Sequence, residues 1–157
     1  MKKFIITCFA LGVALSSFAQ YKFQVPENRC VVAVNKDASL SLSYSLAFAN
    51  EGQPIDIIDV GLPDGNYEAV KADLDGTEMG DIRPSTELAY GVEVHLGDRA
   101  IATGKSGTLH LTALLKNRVF QDDKDAAYAS LEFSPTWYGS AYTSGTTHLI
   151  CEFVLPG

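Results

Sequence analysis

Between Leu40 and Phe48 the side chains alternate with a period of two. Leu40, Leu42, Tyr44, Leu46 and Phe48 are apolar, and Ser41, Ser43, Ser45 and Ala47 stand between them. This period sends successive side chains to opposite faces of an extended backbone, so the segment reads as an antiparallel strand with one buried face. The same beat recurs. Val92, Val94 and Leu96 alternate with Glu93 and His95, and Leu109 and Leu111 with Thr108, His110 and Thr112. Leu149, Cys151, Phe153 and Leu155 alternate with His148, Ile150, Glu152 and Val154. Shorter candidate strands cover residues 30–34, 55–60, 67–74 and 129–133. No segment beyond residue 19 sustains a helical period, and residues 122–129 offer a single helical turn.

Turn chemistry separates these runs: Asn35-Lys36-Asp37, Asn50-Glu51-Gly52, Pro63-Asp64-Gly65-Asn66, Asp75-Gly76, Gly97-Asp98, Gly104-Lys105-Ser106-Gly107 and Ser144-Gly145. Such residues supply positive φ or short side-chain hydrogen bonds at tight turns. Residues 76–87 read as the longest non-strand connection, with Pro84 as a breaker. The expectation is an all-β, antiparallel β-sandwich, immunoglobulin-like or jelly-roll-like, of about eight strands.

The first nineteen residues follow a different logic. Lys2 and Lys3 precede an apolar run from Phe4 to Leu15, and Ser17 and Ala19 are small residues at a cleavage-site spacing. This is the layout of a signal peptide, with a run too short to span a bilayer. Cys8 falls inside the apolar run, too early to become a lipid-modified N-terminus. The reading is a signal peptide over residues 1–19 and one domain over residues 20–157, secreted or periplasmic. Beyond residue 19 no apolar run is long enough for a transmembrane segment.

Residues 1–19 hold two lysines and no acid, so residues 20–157 keep 10 of the 12 basic side chains and all 19 acidic ones, a net charge of −9. That charge repels phosphate backbones and argues against nucleic acid as a partner. Cys30 and Cys151 both alternate with core positions, so both point inward. In an exported chain they are a candidate disulfide, the alternative being two buried free thiols.

Motifs for catalysis are incomplete. Gly104-Lys105-Ser106 resembles the end of a phosphate loop, but Arg99 occupies the position of its first glycine. His95, His110 and His148 lack the close spacing of a metal-ligand motif, and no metal or other cofactor is expected. Asp73-Leu74-Asp75-Gly76 lacks the remaining ligands of a calcium loop and reads as a turn. The carboxylates Asp56, Asp59, Asp64, Asp73, Asp75 and Asp81 could pair for hydrolysis, but nothing in the sequence says which would face each other. No Gly-x-Ser-x-Gly elbow is present. The chain is expected not to be an enzyme.

The segment from Phe133 to Tyr142 carries the most recognition chemistry. It sets Trp137, the only tryptophan, beside Tyr138 and near Tyr142 in a loop containing Pro135 and Gly139. Aromatic rings on a loop can stack on sugar or anchor a protein partner, which makes Trp137, Tyr138 and Tyr142 the candidate ligand-binding residues. A single tryptophan is more often core than contact, so Trp137 is expected to tuck under the loop.

A wider likeness runs through residues 34–40, Tyr44, Phe48, residues 55–63, Asn66-Tyr67, residues 91–97, residues 107–110, residues 134–137 and the final Leu155-Pro156-Gly157. Together these resemble the N-terminal extracytoplasmic β-sandwich domain of bacterial envelope and secreted proteins with no assigned activity. The resemblance implies a sandwich and supplies no functional residue. The expected role is a non-catalytic protein-interaction or envelope-associated module whose partner is an envelope protein or a glycan. The alternatives are a carbohydrate-binding module using the aromatic loop, and a carboxylate-based hydrolase.

Overall fold

The computed structural model describes residues 20–157; the signal-peptide reading of residues 1–19 falls outside them. Among the described residues eleven strands form, in chain order β1 (Phe23–Val34), β2 (Leu40–Asn50), β3 (Ile57–Gly61), β4 (Tyr67–Leu74), β5 (Thr77–Met79), β6 (Ile82–Pro84), β7 (Gly91–His95), β8 (Ser106–Leu115), β9 (Val119–Gln121), β10 (Ala129–Leu131) and β11 (His148–Val154). The helical content of the described residues is one 3₁₀ turn, Gly97–Arg99.

A six-stranded sheet has the order β11-β1-β2-β8-β4-β5, and a three-stranded sheet the order β3-β7-β6. β9 and β10 make a separate hairpin. The apolar faces of the two larger sheets share one core, in which Tyr44 and Leu46 of β2, Leu109 and Leu111 of β8, Val60 of β3 and Val94 of β7 are fully buried. The alternation in β2 and β8 is therefore real, with one face in this core. Among the described residues the strand–strand pairings are antiparallel except β1 with β11, which run parallel, and the isolated bridge of Phe23 to Thr143 is parallel too.

The structure departs from the sequence expectation in its strand count, eleven against about eight, and in the segments that follow. β1 begins at Phe23, before the expected residue 30, because Pro26 falls at a register shift between Gln24 and Glu27, where a missing N–H costs no ladder bond. Residues 76–87 are not a long loop. They hold β5 and β6, joined to β4 through Asp75 and Gly76, both at positive φ, as a two-residue hairpin turn requires. Pro84 is tolerated because it ends β6, the outer strand of its sheet. The segment expected as a helical turn, residues 122–129, instead makes a hairpin loop over residues 122–128 with Ala129 opening β10, since the Asp122 carboxylate accepts the N–H groups of Lys124 and Asp125.

Cys30 and Cys151 lie directly opposite each other on β1 and β11 as free thiols; Cys30 is buried but Cys151 is exposed, so the expectation that both point inward is corrected for Cys151. Cys151 is exposed because β11 is the outer strand of its sheet, with Leu149 and Phe153 of the same face half exposed.

Candidate functional site

The aromatic loop is fixed at Thr136, which is 4 % exposed. Its N–H donates to the Tyr44 hydroxyl at 2.9 Å, its Oγ1 accepts the Gly61 N–H at 2.9 Å, and its carbonyl accepts the Asn28 side-chain amide at 2.8 Å. Three strands, β2, β3 and β1, thereby hold one residue. Gly61 is glycine for this reason: a Cβ there would stand 3.3 Å from Thr136 Oγ1.

Two positions later the loop is held again. The Tyr138 ring packs edge-on against Phe23 and Phe48, with centroids 5.7 and 5.5 Å away, and its hydroxyl donates to the Asp59 carbonyl at 3.1 Å. Burial, and then the Asp59 carboxylate, push the Tyr138 hydroxyl far above its ordinary pKa, so it stays a donor. Tyr138 is therefore held as a structural plug, and it lines the groove bordered by Trp137 and Tyr142.

Trp137, between these anchors, is 77 % exposed. The expectation that it tucks under the loop is wrong. Fixing Thr136 and Tyr138 inward leaves the intervening side chain on the opposite side of an extended backbone. Tyr142 is 48 % exposed. Its carbonyl accepts the Phe23 N–H at 3.0 Å, and Ser144 closes the loop by donating its hydroxyl to Glu51 at 2.6 Å.

Trp137 and Tyr142 border a groove of about 590 Å³. Phe23, Phe48 and Ile58 contribute to its apolar lining, and Tyr21 and Leu88 reach it from distant segments. Asp59, Glu87 and Glu93 supply its charge. Asp59 Oδ1 accepts the Ser85 hydroxyl, and Glu93 lies 3.1 Å from His95 Nε2 and 3.5 Å from Thr86 Oγ1. The Tyr21 hydroxyl is bound to Asp56, which with burial and the charges of Asp56 and Asp59 raises it to about 12.

The remaining candidates are scattered. His95 is on β7 of the smaller sheet, while His110 on β8 and His148 on β11 are separated by two strands of the larger one. Asp73 and Asp75 are engaged with backbone N–H groups of Gly76 and Thr108. The three residues singled out in the sequence, Trp137, Tyr138 and Tyr142, lie on this one groove; Tyr21, Glu87 and Leu88 were missed as its neighbours, because only the folded chain brings their segments together.

No family model matches the chain, and no curated protein matches it. Among solved structures, the M1 zinc metallopeptidase from Deinococcus radiodurans is similar over 68 % of this chain and 25 % of its own, with 20 % identity and a TM-score of 0.48. Leukotriene A4 hydrolase from Saccharomyces cerevisiae is similar over 64 % of this chain and 17 % of its own, with 14 % identity and a TM-score of 0.48. The chain thus spans a quarter or less of the length of these proteins. Among the described residues no helix is long and apolar enough to cross a membrane.

Proposed function

We propose that the chain is an exported, secreted or periplasmic, non-catalytic sandwich module that docks an envelope partner on the Trp137 groove. The exposed indole carries the reading. Leaving a ring of this size in water forgoes about 2–3 kcal/mol of burial, while the residues on either side are fixed against the core. A rigid, exposed aromatic is the usual anchor of a protein contact. Export is supported by the charged, apolar and small-residue layout of residues 1–19. The non-catalytic reading is supported by the incomplete catalytic motifs of the sequence, which holds no Gly-x-Ser-x-Gly elbow and no complete phosphate loop.

The test compares the protein with Trp137→Ala, the two first matched by far-UV circular dichroism and melting temperature. Both are offered to envelope extract. A discrete partner held by the first and lost by the second is the expected result; equal retention sinks the reading. A glycan ligand is the second reading, favoured by the joint exposure of Trp137 and Tyr142 on one rim. It requires saturable quenching of Trp137 by a polysaccharide.

A further inference from the structure

We infer that the Trp137 groove takes the guanidinium of an arginine in a basic segment of a partner protein, an inference that rests on the groove being the contact surface. Charge complementarity identifies the occupant. Asp59, Glu87 and Glu93 line the groove, and no lysine or arginine does. Among the described residues, Arg29, Arg83, Lys116 and Arg118 form ion pairs elsewhere, with Glu152, Asp81, Glu68 and Asp64. Glu93 has two basic neighbours, His95 at 3.1 Å and its cross-strand partner Arg83 on β6, whose guanidinium pairs with Asp81; among the described residues Asp59 and Glu87 form no ion pair.

Hydrogen-bond capacity narrows the occupant further. The Tyr21 hydroxyl is spent on Asp56 and the Tyr138 hydroxyl on the Asp59 carbonyl. The Thr86 hydroxyl, which also lines the groove, donates to Glu93 at 3.5 Å. The side-chain groups that remain inside are carboxylate oxygens, which only accept; the free side-chain donors are the Trp137 indole and the Tyr142 hydroxyl, both on the rim. A sugar hydroxyl both donates and accepts, whereas a guanidinium donates five N–H bonds and accepts none. Its flat face stacks on an exposed indole, and its edge pairs with a carboxylate in two parallel bonds. An aromatic rim over an acidic, acceptor-only interior fits that group. The net charge of −9 over residues 20–157 draws a basic partner from a distance.

The probe is a fluorescein-labelled tri-arginine peptide, blocked at its C-terminus, followed by anisotropy. Its control carries citrulline, the uncharged analogue of arginine, at each position. The expected result is saturable binding of the arginine peptide, roughly tenfold or more tighter than the control. It weakens as salt rises from about 20 to about 200 mM. Trp137→Ala abolishes it, and Glu87→Gln combined with Glu93→Gln weakens it roughly tenfold at an unchanged melting temperature. Equal affinity for the citrulline peptide, or no saturable binding of the arginine peptide, overturns the inference. So does a response that needs Trp137 but survives the double Gln change, or saturation by a neutral glucan alone; either leaves the groove as the contact surface. Arginine-peptide binding that survives Trp137→Ala removes the groove reading itself.

Discussion

Thr136 shows how one residue decides the fate of the next. Its hydroxyl accepts the Gly61 N–H and its own N–H is taken by the Tyr44 hydroxyl. That phenol stays protonated because burial, and then the neighbouring Cys30, raise it far above its ordinary value. Thr136→Val keeps the shape of the side chain and deletes the acceptor, leaving the Gly61 N–H without a partner. The expected loss is about 1–3 kcal/mol in urea unfolding. The same variant frees the loop, so Trp137 fluorescence anisotropy in the native state falls. A loss of stability with unchanged anisotropy would show that Tyr138 alone holds the loop. None of this is legible in the sequence, where Trp137 has the look of a core residue. Its exposure is set by Asn28, Tyr44 and Gly61, each 75 or more positions from Thr136.

At the scale of strands, the pairing of β3 with β7 depends on Gly91, which lies opposite Gly61 with φ of +155°. A Cβ there would stand 2.6 Å from the Val60 carbonyl oxygen, a backbone atom that cannot swing aside. Gly91→Ala is expected to cost about 2 kcal/mol or more, read as a lowered urea midpoint. The β1–β11 pair makes a second prediction. Cys30 is raised to about 12, by burial first and then by Cys151, so it is almost devoid of thiolate at neutral pH. Iodoacetamide is expected to label exposed Cys151 in the native protein and Cys30 only after denaturation. Protein isolated without reductant, in which neither thiol labels even in denaturant, would carry the Cys30–Cys151 bond. The long strands were legible because their period of two survives over five or more residues, as in β2 and β8. β5, β6 and β9 hold three residues each, too few to display a period. The parallel sense of β1 and β11 leaves no mark on alternation at all, since either direction buries the same face.

For the molecule as a whole, acidity governs response to pH. Glu51 ties Gln24 of β1 to Ser144 at the end of the aromatic loop. Those two hydrogen bonds, Ser144 first, hold its carboxyl below the ordinary 4.5. A depressed folded value means that the stabilisation is present above the unfolded value and lost as pH falls through the folded one. The protection of residues 139–144 against amide exchange, taken relative to the intrinsic rate at each pH, is therefore expected to fall below about pH 4.5, ahead of protection in β2. A uniform loss across both would mean that the loop and sheet open together. The groove was only half legible for a related reason. Its aromatic rim comes from one contiguous segment, whereas Tyr21, Asp59, Glu87 and Glu93 arrive from four places along the chain.

The parallel closure of β1 by β11 also sets an order of events. A chain that emerges N-terminus first, from a ribosome or a translocation channel, presents β1 early, and β2 can fold back on it at once. The other margin of β1 must wait until Val154 has emerged, after every other strand. Through that interval the strand offers a row of unsatisfied amides that β11 of a neighbouring chain could capture in place of its own. Crowded synthesis should therefore favour exchanged dimers, and slow, dilute synthesis monomers, from the same gene product.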